Sequence, residues 1–385
     1  MFKIGTLNKI SPKGLAKLGS NYEVVENIDE AEGILVRSFK MHDMQFSPAL
    51  KAIARAGAGV NNIPLDRCAD EGIVVFNTPG ANANAVKELV LAAMFADARN
   101  IIDGNAWLKE QTADGIADKV EKGKSAFAGT ELKGKKIAVI GLGAIGVALA
   151  NTASDLGMVV TGYDPYMSVY SALHLYSITQ VTHDMDELLK DADYVSIHVP
   201  ALADTKGMIN KDFFAKCNKP IKFLNFSRAE LVEAEAMEEA LESGKVQKYI
   251  TDFPTEKFFD NPAVLNLPHL GASTEEAEEN CAMMAADEIV DYLENGNITN
   301  SVNFPQCNMG APRTAGRISV IHKNGNDGIT HITAECNGLG VKIENMTAVT
   351  RGNVAYTLLD IDRSLSADEA KKISFEGLIS VRVVK

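Results

Sequence analysis

The 385-residue sequence predicts an α/β protein with two doubly wound parallel-sheet blocks and a small C-terminal βαββαβ plait. Three observations carry that expectation. Short apolar runs alternate with helical stretches over the first hundred residues and again from near residue 134, the pattern of βαβ units. A glycine-rich turn, Gly141-Leu142-Gly143-Ala144-Ile145-Gly146, follows one such run and opens a helical stretch. Beyond residue 313 the pattern changes to strand, helix, two strands, helix, strand.

In chain order, residues 32–38, 50–57 and 72–80 read as strands ending in Gly, Ser or Arg, and 82–98 as a long helix rich in Ala, Leu and Met. The second block contributes strands at 135–141, 158–164, 193–200, 221–227 and 248–253, with a helix at 233–245 stopped by Gly244. A further helix runs to Gly296, and 300–313 reads as a linker rich in Asn, Pro and Gly. The last unit is a strand (RISVIHK), a helix, a hairpin turning near Arg351-Gly352-Asn353, a short helix after Ser366 and a final strand, LISVRVV.

Composition narrows the function classes. The net charge of −13 opposes binding to nucleic acid or anionic membranes. No apolar run approaches the roughly 20 residues that cross a bilayer, and MFKIGTLNKI lacks the features of a signal peptide, so a cytoplasmic location is expected. Cys68, Cys217, Cys281, Cys307 and Cys336 are too scattered for a zinc knuckle or redox pair, so neither metal nor disulfide is expected. A small anionic substrate would need a local basic site.

The turn Gly141, Gly143, Gly146 is a dinucleotide fingerprint because of its context. It follows a strand, opens a helix, and Asp164 stands 23 residues beyond Gly141 at the end of the next strand. The glycines admit a pyrophosphate to a helix N-terminus. Asp164 would accept from the adenosine ribose and repel a 2′-phosphate, so NAD is expected rather than NADP. A rival turn, Gly57-Ala58-Gly59, has Asn62 in third place and no matching acid.

Chemistry on a small anion beside a dinucleotide also needs a cation to grip the anion, a base to move a proton and a group that orients the base. Arg228 follows a strand at the edge where ligands bind in such folds, and its planar fork suits a carboxylate. His269, in a Pro-His-Leu-Gly turn, carries an imidazole, a side chain suited to act as a base. Glu256, after another strand, is a candidate orienter. Spacing alone does not show that these three converge.

The runs RAGAGVNNIPL, KGKKIAVIGLGAIG, DYVSIHVPALADTKGMIN, NFSRAELVE, TDFPTEK and PHLGASTEEAEEN resemble the D-isomer-specific 2-hydroxyacid dehydrogenase family over roughly residues 1–305. The resemblance implies catalytic roles for Arg228, Glu256 and His269, and places Asp252 near the nicotinamide. It implies that Ala144, Ile145, Val199, Phe226, Ser227, Gly271 and Ala272 line the cofactor, and that the backbone of Ala58, Gly59 and Val60 receives the substrate carboxylate. It implies a Rossmann domain (99–282) inserted in a flavodoxin-like substrate domain (1–98 and 283–306), with a cleft that closes on substrate. One departure is Ala229, where the family usually has Gly; a left-handed backbone there would resist the methyl.

Residues 315–385 resemble an ACT domain, carried by the phosphoglycerate-oxidising branch of that family. This implies oxidation of 3-phosphoglycerate to phosphohydroxypyruvate on the way to serine, with Arg37, Ser38 and Lys40 gripping the phosphate and Arg55 and Lys87 as further candidates. It also implies a homodimer or homotetramer. His322 and Asn324 stand where such domains bind serine, whereas the loop Gly325–Gly328 lacks the usual Pro and Lys342 replaces a contacting Asn. Two alternatives remain open: a glyoxylate or hydroxypyruvate reductase, and an NAD-sensing regulatory protein on the same fold.

Overall fold

The computed structural model describes residues 1–325 and 327–385, so Asn326 of the C-terminal loop singled out above lies outside the described residues. The chain divides into two compact units, one formed by residues 1–81 with 278–385 and the other by 82–277.

In the first unit, strands β1 (Phe2–Leu7), β2 (Tyr22–Val25), β3 (Gly33–Val36), β4 (Ala52–Arg55) and β5 (Val74–Asn77) pair in parallel in the order β2-β1-β3-β4-β5. That is the flavodoxin-like order expected from the resemblance. The central strand β3 is buried throughout, as a parallel strand covered on both faces must be. One face packs on the helix Glu275–Asn295 through Ala282, Ala285, Ala286 and Ile289, which meet Ile4, Leu35, Ala54 and Phe76.

In the second unit, β6 (Lys136–Ile140), β7 (Val159–Tyr163), β8 (Gln180–Thr182), β9 (Tyr194–Ile197), β10 (Ile221–Asn225), β11 (Val246–Thr251) and β12 (Val264–Asn266) form a parallel sheet ordered β12-β11-β10-β9-β6-β7-β8. The order reverses between β6 and β9, and such a switch point opens a crevice beyond the strands' carboxyl ends. The helix Ala83–Ala98 belongs to this unit and buries Val86, Val90 and Met94 in its core.

The C-terminal plait joins β13 (Gly316–Lys323), β14 (Ile343–Arg351), β15 (Val354–Ile361) and β16 (Leu378–Val383) antiparallel in the order β14-β15-β13-β16. Gly352 turns the hairpin with φ 56°, and Ser366 and Glu369 form the capping box of the short helix Ala367–Ala370. The plait does not hang on a loose tether. Val354, Tyr356 and Leu358 share a core cluster with the first sheet and with Tyr292 and Leu293. Three of its side chains also hold carbonyls at the C-terminal end of the helix Glu275–Asn295 and of Gly296 just beyond it. Arg382 donates to Tyr292 O (2.7 Å) and Leu293 O (2.9 Å), Arg317 to Asn295 O (2.9 Å), and the Tyr356 hydroxyl to Gly296 O (2.6 Å). Cations at that end complement the helix dipole. Arg317 is fully buried but paired in a bidentate fork with Asp360 (2.6 and 3.0 Å).

Among the described residues no helix is long and apolar enough to cross a membrane, and no cluster of His, Cys, Asp and Glu is arranged to hold a metal. All five cysteines are buried.

Candidate active site

The glycine-rich turn joins β6 to the helix Ala144–Asp155, and each glycine has its own steric reason. Gly141 has φ 90°, and a Cβ there would lie 2.5 Å from His198 O. A Cβ on Gly146 would come within 1.8 Å of Gly141 O, so the helix seats on the strand only without a side chain. Gly143 faces open space: nothing lies within 4 Å of its would-be Cβ. Gly143 and Ala144 are exposed at the helix N-terminus, where the first N–H groups have no partner within the helix. A pyrophosphate fits such a cradle.

Asp164 directly follows β7 and is held in place by backbone. Its Oδ2 accepts from Leu142 N–H and its Oδ1 from Tyr166 N–H, both at 2.8 Å. The carboxylate that would receive the ribose is thus fastened to the turn that would receive the pyrophosphate.

Beyond β10 the backbone turns through Phe226, Ser227 and Arg228. The buried Asn225 side chain clamps this turn: its Oδ1 accepts from Ser227 N–H (3.1 Å) and Arg228 N–H (3.3 Å), and its Nδ2 donates to Arg228 O (2.8 Å). Ser227 ties the turn to β9 by donating to Ile197 O (2.7 Å). Arg228, half-buried, donates to Ser227 O (2.7 Å). Ala229 is not among the residues with a left-handed backbone, so its methyl is accommodated. The Phe226 ring is buried in the core and Val199 packs beside the neighbouring cluster, while Ile145 is half-buried and Ala272 exposed.

Asp252 follows β11 and is 1% exposed. Its Oδ2 accepts from Gly271 N–H at 3.2 Å, and its Oδ1 is enclosed without a partner. Burial pushes this carboxyl above the usual carboxylate range, opposed by the nearby His269, by Gly271 N–H and by Arg228. Asp252 therefore feels the charge of both His269 and Arg228. An orphaned buried acceptor is costly, and the amide N–H of a nicotinamide carboxamide is a donor of the kind it lacks.

His269 is exposed, with φ 46°, an uncommon backbone for a residue with a Cβ. Its ring leans on Phe253, centroids 4.6 Å apart. Glu256 begins a short 3-10 turn and is exposed. Its carboxylate makes no hydrogen bond or ion pair among the described residues, so it stands apart from His269 here. The sequence reading missed Asn225 and His198. His198 directly follows β9, its Nε2 meets Ser196 Oγ (2.8 Å), and its enclosed Nδ1 has no partner; burial lowers its pKa to about 4.

The first unit gathers a second polar edge at the ends of β3, β4 and β5. Arg55 Nε donates to Arg37 O (3.1 Å), and Arg37 pairs with Glu278 at 2.5 Å. Burial raises the Cys281 thiol's pKa, opposed by Thr78 and by the Arg55 and Arg37 guanidiniums. The exposed Ser38 is fixed through its backbone: Asn8, left-handed at φ 72°, accepts from Ser38 N–H (2.9 Å) and Phe39 N–H (2.7 Å). Lys40 is exposed; Lys87 belongs to the second unit, where it lies 3.7 Å from Glu88. Ala58 O accepts from Asn77 Nδ2 (2.6 Å), while the N–H groups of Ala58, Gly59 and Val60 make no hydrogen bond among the described residues.

Residues 91–271 match the NAD-binding domain of the D-isomer-specific 2-hydroxyacid dehydrogenases. The chain is 35% identical to a D-3-phosphoglycerate dehydrogenase of Methanocaldococcus jannaschii over 300 residues, covering 75% of this chain and 55% of that one. It is 32% identical to a Bacillus subtilis protein of the same name over 324 residues, covering 79% and 59%. The chain thus spans little more than half the length of these relatives. Among solved structures, NAD+-bound 3-phosphoglycerate dehydrogenase of Entamoeba histolytica superposes with a TM-score of 0.62 at 27% identity, over 78% of this chain and 98% of that one.

Proposed function

We propose that this chain, whose residues 91–271 match the NAD-binding domain of the D-isomer-specific 2-hydroxyacid dehydrogenases, oxidises 3-phospho-D-glycerate at C2 to 3-phosphohydroxypyruvate, the entry step of L-serine synthesis. The observation that carries this reading is the buried Asp252 carboxyl in the unit that bears the glycine-rich turn, with its Oδ1 lacking a partner and the charges of His269 and Arg228 acting on it. The name shared by the M. jannaschii and B. subtilis relatives supports the substrate.

In this reading Gly141, Gly143, Ala144, Ile145 and Gly146 seat the pyrophosphate and Asp164 the ribose. Val199, Phe226, Ser227, Gly271 and Ala272 line the nucleotide, Phe226 through its backbone since its ring is in the core. Asp252 Oδ1 accepts from the carboxamide. The bound dinucleotide supplies the hydride acceptor. Arg228 holds the substrate carboxylate and draws charge from the C2 oxygen as it becomes a carbonyl. His269 Nε2 takes the hydroxyl proton as the hydride leaves C2. Glu256 orients the imidazole, which requires its exposed carboxylate to turn toward the ring. In the reverse direction protonated His269 is the acid, so reduction prefers lower pH than oxidation. The N–H groups of Ala58, Gly59 and Val60 offer anion contacts. Arg37, Ser38 and Lys40, with Arg55, form the phosphate grip, for which the anion competes with Glu278 for Arg37.

The plait acts as an ACT domain that binds serine. Its support is a cavity of about 370 Å³ lined by His322, Asn324 and Thr357, into which two buried polar atoms without partners, His322 Nε2 and Thr357 Oγ1, bring unmet hydrogen-bonding capacity. A serine titration that leaves the rate unchanged would reject this role. The reading places the chain in the cytoplasm as a homodimer or homotetramer; molar mass measured by light scattering checks the assembly.

The hydride step is tested with 3-phosphoglycerate deuterated at C2. Deuterium recovered at the nicotinamide C4 is the expected result. Turnover with the label left in solvent would overturn it.

A further inference from the structure

A second cleft uses none of the residues assigned above. Glu288, on the helix Glu275–Asn295, is 7% exposed. Its Oε1 accepts from Asn300 Nδ2 at 2.8 Å, while its Oε2 is enclosed and has no hydrogen-bond partner. The same side chain lines an open cleft of about 490 Å³ with Met283, Met284, Asp287, Asp291 and Lys17. The other charged groups of the cleft do not satisfy it. Lys17 pairs with Asp287 at 3.3 Å, and Asp291 is occupied by the Asn295 and Asn297 side-chain amides, each at 2.8 Å.

A buried carboxyl without a counter-ion either stays protonated or takes a cation from outside. Burial, with Asp287 adding to it and Asn300 opposing, pushes Glu288 up to about 8. A metal does not suit the place, because among the described residues no group of three or more His, Cys, Asp or Glu is arranged to hold one. The walls beside Glu288 are the thioethers of Met283 and Met284, adaptable apolar surface suited to a flexible alkyl chain. Acidic Asp287 and Asp291 make the cleft's potential negative, which draws a cation and repels an anion.

We propose that this cleft binds a small primary amine as its ammonium ion, with the ammonium donating to Glu288 Oε2 and the alkyl body lying against Met283 and Met284. The ligand class follows from what the site lacks: a charged donor on a short apolar stem. Near neutral pH the Glu288 proton must leave as the ammonium enters, so binding releases a proton to the buffer.

The test is calorimetric titration of the full chain with n-butylammonium chloride at pH 7, repeated in two buffers of different ionisation enthalpy. Binding with proton release is expected, and n-butanol should not bind. Glu288→Gln keeps the contact to Asn300 but loses the charge, and should weaken butylammonium binding at least about 30-fold and abolish the proton release. Met284→Lys, which brings its own ammonium to the cleft wall, should block binding by a route that leaves Glu288 intact. Equal affinity in the parent and Glu288→Gln, or no binding to the parent at millimolar butylammonium, overturns the proposal. Unfolding curves of both variants separate loss of the site from loss of the fold.

Discussion

Two turns in this chain carry Gly-x-Gly after a buried parallel strand, and they do different work. Gly57-Ala58-Gly59 follows β4; Gly141-Leu142-Gly143 follows β6. In the first, Gly57 has φ 147° and a Cβ there would lie 2.1 Å from Arg55 Nη1, so the missing side chain makes room for a guanidinium. In the second, the missing side chains make room for backbone: His198 O below Gly141, and Gly141 O below Gly146. One turn yields a side-chain cation at a strand end, the other a helix N-terminus that can be approached directly. Glycine spacing alone does not separate these outcomes; the third glycine and the helix that follows at once do.

Four substitutions would break or sharpen that contrast. The largest effect is expected for Gly146→Ala, whose methyl meets a carbonyl at 1.8 Å that no side-chain rotation relieves. It should cost about 3 kcal/mol or more in urea unfolding and eliminate NADH binding measured by fluorescence. Parent-like NADH affinity in this variant would remove the turn from the cofactor site.

Next comes the floor of the same turn. Burial holds His198 at a pKa of about 4, so the folded chain keeps it neutral while the unfolded chain protonates near 6.5. The sign follows: between about 6.5 and 4 the unfolded state binds more protons, so stability is lost as pH falls through that window. His198→Gln should abolish that loss, which approaches about 3 kcal/mol at pH 4. Identical pH dependence of unfolding in parent and variant would contradict the buried neutral imidazole.

A smaller penalty, about 1–3 kcal/mol, is expected for Gly57→Ala, where φ is strained but the obstructing guanidinium can move. Here the KM for the phosphorylated acid should rise while NADH affinity holds, the reverse of Gly146→Ala. The smallest change is Asp164→Asn, which retains a side-chain acceptor but loses the charge facing a 2′-phosphate. The ratio of NADP to NAD use should rise by about fivefold, roughly 1 kcal/mol for a partly exposed charge.

The same logic explains what was legible in the sequence. Strands such as Lys136–Ile140 and the helix Ala83–Ala98 were readable because apolar periodicity is a property of the run itself. The three-residue edge strands Gln180–Thr182 and Val264–Asn266 have no room for a pattern and were not read. The helix ending at Gly296 starts at Glu275, ahead of its apolar stretch, because the run Glu275, Glu276, Glu278, Glu279 is polar yet favourable at a helix N-terminus. Within the site, the glycines were legible because their steric demand lies in the residue type. Asn225 and Asn8 were not, because each clamps a turn through partners that only the fold supplies. Glu256 shows the opposite limit: its place along the chain suggested an orienter, and the fold leaves it exposed and unpaired with His269.

The most direct test of the proposed reaction is NADH-linked turnover of phosphohydroxypyruvate beside unphosphorylated hydroxypyruvate, read as kcat/KM. A preference of about a hundredfold or more for the phosphorylated ketoacid is predicted, the value of one well-held phosphate contact of roughly 3 kcal/mol. Preference for hydroxypyruvate would contradict the assignment and move the enzyme to the reductase reading, and turnover of neither would leave the NAD-sensing alternative.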